Sequence, residues 1–98
     1  MGRNMRTAFE TISTRLINGK RIVTHFSKGN ARGELIKAHL FLEQALMRGL
    51  DMLEAIEETE IAYPSIEVKS IELDPVRIAL NTKLENWTLW FEYIEEST

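Results

Sequence analysis

From Ala31 to Glu60 the chain runs without a proline, with few β-branched residues and with many Leu, Ala, Met and Glu. This is the composition in which a helix costs least, and the rest of the fold must fit around it. At about 100° per residue, Leu35, Leu42, Leu46, Leu50, Leu53 and Ile56 share one wide apolar arc. Gly49 lies on the same arc, where it would allow a close backbone approach. The opposite side holds Lys37, Gln44, Arg48, Asp51 and Glu58, but Ile36, Leu40 and Met47 interrupt it as a second apolar stripe. One small sheet can cover only one face of such a helix, so the stripe is expected to be an association surface.

The C-terminal segment reads as strands. Asp74-Pro75 could start a helix, with Val76, Leu80, Leu84, Trp87, Phe91 and Ile94 at helical spacing. Period-two alternation fits better: Val76, Ile78, Leu80, Thr82 and Leu84 alternate with Arg77, Ala79, Asn81 and Lys83, and Trp87, Leu89, Phe91 and Tyr93 alternate after them. A Glu85-Asn86 turn would set Leu84 against Trp87, Thr82 against Leu89, Leu80 against Phe91 and Ile78 against Tyr93, all on one face. Ile66, Val68, Ile71 and Leu73 give a further strand, with a bulge expected at Lys69-Ser70 and a turn at Asp74-Pro75.

Two readings compete at the N-terminus. Thr7 with Glu10 matches a capping box, and Met5, Phe9, Ile12 and Leu16 make a helical stripe ending at Asn18-Gly19. Asn-Gly between two β-branched runs is also a strong hairpin signal, and the hairpin is preferred. A three-residue loop of Asn18, Gly19 and Lys20 would pair Leu16 with Ile22, Thr14 with Thr24, Ile12 with Phe26 and Glu10 with Lys28. The expected fold is α+β in the order ββαβββ: a β-hairpin, one long central α-helix and a three-stranded antiparallel meander, the helix packed on one face of the sheet.

Charge is segregated along the chain. Residues 1–37 carry eight Lys or Arg against Glu10 and Glu34, a net of +6, while residues 38–98 carry −9, giving −3 in all. Such a molecule selects partners by sign. With 98 residues the chain is expected to form one domain around one core, and with no cysteine it has no disulfide framework, thiol nucleophile or Cys-type metal site. No segment approaches the roughly 20 apolar residues that span a bilayer, and Met1 to Asn18 lacks the apolar run of a signal peptide. A cytoplasmic protein without membrane contact is expected.

One loop merits attention as a binding site. Ser27 to Gly33 holds two glycines, Lys28 and Arg32, and leads into the N-terminus of the central helix, where the dipole favours anions. Lys28 and Arg32 oppose that dipole, as a group selected for binding would. A solvated turn capped by Asn30 is the plainer alternative. Lys20 and Arg21 at the hairpin tip complete the basic set. His25 and His39 are expected to be packing or surface residues, since a zinc site needs three or four ligands. Glu57-Glu58 and Glu95-Glu96 are sequence neighbours that point apart, and no hydrolase, dinucleotide or zinc-protease signature is present.

Trp87, Trp90, Phe91 and Tyr93 are expected mainly in the core. Trp90 and Ile94 project from the face opposite Trp87 and Phe91. If a helix covers the latter, Trp90 lies on a free sheet face flanked by Thr88 and Glu92. These features predict a non-enzymatic protein-interaction module, a small regulator, inhibitor or phage-type accessory protein, homo-oligomeric, with no cofactor, metal or catalytic residue. Its interface would involve Ile36, Leu40, Met47, Trp90 and Ile94. The alternative is a nucleic-acid binder placing Lys20, Arg21, Lys28 and Arg32 on phosphates.

Overall fold

The structure, a computed structural model, describes residues 9–29, 31–80 and 82–94. The elements are β1 (Phe9–Ile17), β2 (Lys20–Ser27), α1 (Arg32–Met47), α2 (Met52–Ala62), β3 (Ile66–Ala79) and β4 (Thr82–Tyr93). Met5, Thr7 and the expected cap Asn30 lie outside the described residues.

Asn18 and Gly19 alone separate β1 from β2, and both have positive φ, 48° and 77°. That is the sign pattern of a type I′ hairpin turn. The loop is thus one residue shorter than expected: Ile17 pairs with Lys20 and Leu16 with Arg21. A one-residue slip exchanges the two faces of a strand, so Ile17 is in the core and Leu16 is 63% exposed. An irregularity between Thr11 and Ser13 then shifts the phase, and Ile12 also packs against the core.

The single long helix is two helices. α1 ends with the Leu50 N–H donating to the Ala45 carbonyl (3.2 Å) and the Gly49 N–H to the Leu46 carbonyl (3.0 Å), with Gly49 at φ 101°. These are the two bonds and the left-handed residue of a Schellman stop. Asp51 restarts the chain at once through a capping box: its carboxylate accepts the Glu54 N–H (2.8 Å), and the Glu54 carboxylate accepts the Asp51 N–H (3.2 Å). Leu53, expected on the buried arc, is 66% exposed because the break rotates α2.

The break is set locally by Gly49 and the Asp51 capping box rather than by the length of the sheet, whose β3 runs about 46 Å at ~3.3 Å for each of its 14 residues. At 1.5 Å per residue a helix from Ala31 to Glu60 would run about 45 Å. The eight residues of β2 run about 26 Å at ~3.3 Å each. Folding back as α1 and α2 keeps both helices over the sheet and returns the chain to the end of β2 where it left. β3 then starts beside that end, with the Ile94 N–H donating to the Ser65 carbonyl (2.7 Å).

The expected three-stranded meander has two strands. β3 continues through Asp74-Pro75, absorbing it as a register irregularity between Leu73 and Val76, and turns only between Ala79 and Thr82. Proline is tolerated there because β3 is an edge strand, with no strand on its outer side among the described residues to need the missing N–H. Glu85-Asn86 lies inside β4, and Lys69-Ser70 pairs regularly with Trp90 and Leu89. In the backbone register Leu84 therefore pairs with Val76, not Trp87. The sheet order is β1-β2-β4-β3, mixed, with β2 and β4 parallel at its centre.

Helices cover one face of the sheet. Phe26, Leu35, Leu42, Leu46, Met52, Ile66, Leu89 and Phe91 are all but inaccessible. The T-shaped contact of Phe26 with Phe91 (5.8 Å between ring centroids) marks the centre. α2 also guards the β3 edge, since the Glu60 carboxylate accepts the Val68 N–H at 2.8 Å. No helix among the described residues is long and apolar enough to cross a membrane.

Candidate interaction surface: the uncovered sheet face

Strand alternation that sends Ile22, Thr24, Phe26, Trp87, Leu89 and Phe91 to the helices must send the intervening residues the other way. The registers arrange these in rows across the sheet. Thr11, His25, Trp90 and Lys69 form one row. Thr14, Val23, Thr88 and Ile71 form the next, and Leu16, Arg21, Asn86 and Leu73 the third. Beyond the first row, Glu92 pairs with Glu67.

Trp90 is half-buried at the middle of this face, its ring stacked on His25 (centroids 5.6 Å apart, 18° between planes). His25 Nδ1 lies 3.1 Å from the Thr11 hydroxyl. Leu16, Ile71 and Leu73 are 63%, 49% and 47% exposed around it. Trp90, Val23, Ile71, Leu16 and Leu73 are thus apolar side chains interspersed with Thr11, His25, Lys69, Thr14 and Thr88 on a face that no element of the described chain covers. At its edges Arg21 donates to the Asn86 side-chain oxygen (3.2 Å). Glu67 and Glu92 sit directly opposite each other, and none of the salt bridges among the described residues involves either. Like charges in that position cost about 0.2–1 kcal/mol.

The other sequence candidates divide among separate regions. Ile36, Leu40 and Met47 are 42%, 51% and 54% exposed along the outer shoulder of α1. Helices and sheet separate that stripe from Trp90, so the two cannot serve one interface. Ile94, 44% exposed, lies just past β4. Lys28 lines an open cleft of about 760 Å³ with Ser27, Gly33, Glu34, Ser65 and Tyr93. Arg32 turns away to Glu10 (3.3 Å) and lies over the Phe26 ring. Lys20 faces Glu85 at 3.9 Å with its side chain 12% exposed. Lys20 and Lys28 flank the whole of β2, so the four cations do not converge on one patch.

Sequence reasoning missed a buried ionic cluster under β1. Glu43 Oε2 lies 3.0 Å from His39 Nε2, and Glu43 Oε1 accepts from Arg15 at 3.3 Å. His39 is held below its ordinary value of 6.5, first by burial and then by Arg15, against the opposing pull of Glu43. Its ring packs edge-on to Phe26 and Phe91. The spacing of His39 and Glu43, one helical turn apart, was the available signal. Arg15 could be found only from the hairpin register. Among the described residues no group of three or more His, Asp or Glu could hold a metal ion.

The chain matches no family model, no curated protein and no solved structure.

Proposed function

We propose that this protein is a non-enzymatic interaction module that binds a protein partner through its uncovered sheet face. The observation that carries the reading is the half-buried Trp90, stacked on His25 with Val23 and Ile71 one row away and Leu73 two, on a face that α1 and α2 leave open. Large aromatics in such settings supply most of the binding energy at protein interfaces. The polar groups at the margin suit a rim around that centre. The nucleic-acid alternative rests on Lys20, Arg21, Lys28 and Arg32, of which Lys20 and Arg32 already face acids. With Trp90 and His25 stacked on each other, one ring face of each is occupied and less is left to a base.

The test is capture from the native cell with the tagged chain, half the sample treated with nuclease, alongside Trp90→Asp. A protein retained after nuclease and lost with Trp90→Asp supports the reading. Capture that depends on nucleic acid, or that ignores Trp90→Asp, refutes it.

A further inference from the structure

The charges bordering the uncovered face are arranged so that the face complements a copy of itself. Counting along β4, Arg21 and Asn86 lie two rows before Trp90, while the Glu67–Glu92 pair lies one row after it. The midpoint of this span falls between the Trp90 row and the Thr88 row. A two-fold axis there, in the plane between two stacked sheets and perpendicular to the strands, lays β4 over β4 and β2 over β2 in reverse. Each acidic end then meets the other copy's basic end. Arg21 is held toward β4 by Asn86, the side on which the second copy's Glu92 arrives. The same operation sets Trp90 against the second copy's Thr88 and Val23, and Phe9 against its Leu16.

We infer that the occupant of this face is a second copy of the chain, docked face to face as an antiparallel sandwich with two symmetric Arg21–Glu92 pairs. The inference rests on the uncovered face being the binding surface. Charge placement carries it: the like-charged Glu67–Glu92 pair at one end is unfavourable alone, Arg21 at the other end is in none of the salt bridges among the described residues, and one symmetry operation brings Arg21 to Glu92 while setting Lys69 over the second copy's Ile71. Sheets packed in this way lie about 10 Å apart with strands within about 30° of alignment, which natural side-chain lengths fill. Four strands at ~4.8 Å and eight residues at ~3.3 Å give about 500 Å² of face per copy, or about 1,000 Å² for the pair. That is the lower end of specific interfaces, so the dimer is expected to dissociate in the micromolar range.

The experiment is sedimentation of the full chain across micromolar concentrations. Wild type is expected to pass from monomer to dimer. Arg21→Glu alone and Glu92→Arg alone should each raise the dissociation constant about tenfold or more, because each replaces two attractions by two repulsions. The double variant carrying both changes restores opposite charge and should recover to within about threefold of wild type. Leu40→Glu on the far side of α1 should change nothing. Circular dichroism checks that each variant keeps its fold, and the recovery of the double variant cannot come from misfolding. A monomer at every concentration overturns the inference, as does a dimer that ignores Arg21 and Glu92 or dissociates with Leu40→Glu. Of these, a monomer that still captures a Trp90-dependent protein leaves the interaction surface standing and removes only self-pairing.

Discussion

Gly49→Ala gives a result whose sign depends on whether the central helical segment is one helix or two. Gly49 stands at φ 101° in the stop between α1 and α2, and a Cβ built there meets nothing within 4 Å. Steric clash with other elements is therefore absent, and the cost is that of forcing an L-residue into a left-handed conformation, about 1–2 kcal/mol. In an uninterrupted helix the same change would stabilise the protein by about 0.5–1 kcal/mol. Gly33 is the internal control: it lies inside α1, has no positive φ, and its added Cβ also meets open space. Gly33→Ala should gain up to about 1 kcal/mol. For a chain of this size 1 kcal/mol moves the melting temperature by roughly 4–8 °C. Differential scanning calorimetry should show Gly49→Ala melting about 5–15 °C below wild type and Gly33→Ala a few degrees above it. Gly49→Asn, which enters the left-handed region more readily, should recover part of the loss. A Gly49→Ala protein as stable as wild type or more so would refute the Schellman stop and the topology built on it.

Glu60→Ala removes the acceptor for the Val68 N–H at the edge of β3. It should cost about 1–3 kcal/mol in urea unfolding and promote aggregation seen by light scattering, while Glu60→Gln, which keeps an acceptor, should cost less. His39 has its folded value depressed by burial, so the folded state resists its protonation. Stability from this group is complete above about 6.5, the unfolded value, and is lost as pH falls below it. Wild-type melting temperature should therefore drop as pH falls below about 6.5, and His39→Gln should flatten that part of the curve; identical profiles would contradict it. Arg15→Ala leaves the Glu43 carboxylate, 7% exposed, without its cationic partner at 3.3 Å. A loss of about 1–3 kcal/mol in urea unfolding is expected, partly offset by His39 taking up a proton more easily.

Most of what the sequence revealed about the sheet came from alternation, because a strand's inside and outside are set by a period of two and need no knowledge of its neighbours. Trp87, Leu89 and Phe91 point inward and Trp90 outward as the spacing indicates. Alternation says nothing about where a strand stops. Asp74-Pro75 looks like a turn, yet an edge strand carries it because no strand on its outer side among the described residues needs the proline's missing N–H. The hairpin shows the same limit at finer scale: Asn-Gly located the turn, but its two residues both adopt positive φ, and adding Lys20 to the loop moved Leu16 from the solvent side to the core side.

The helix break was written in the sequence, as Gly49 followed by Asp51-Met52-Leu53-Glu54, a stop and a capping box in succession. Apolar periodicity concealed it, since Leu50, Leu53 and Ile56 prolong the arc of α1 when the backbone is assumed straight. Its consequence reaches the candidate site. One long helix would have delivered the chain to the far end of β2, where a following strand could run beside it only in another order. Two helices deliver it to the near end, so that β3 runs down the outside and β4 returns between β3 and β2, parallel to β2. Only that return puts Trp90 beside His25 and Asn86 beside Arg21. The surface was therefore legible residue by residue in Trp90, but its neighbours depend on a helix stop more than thirty residues away in the chain.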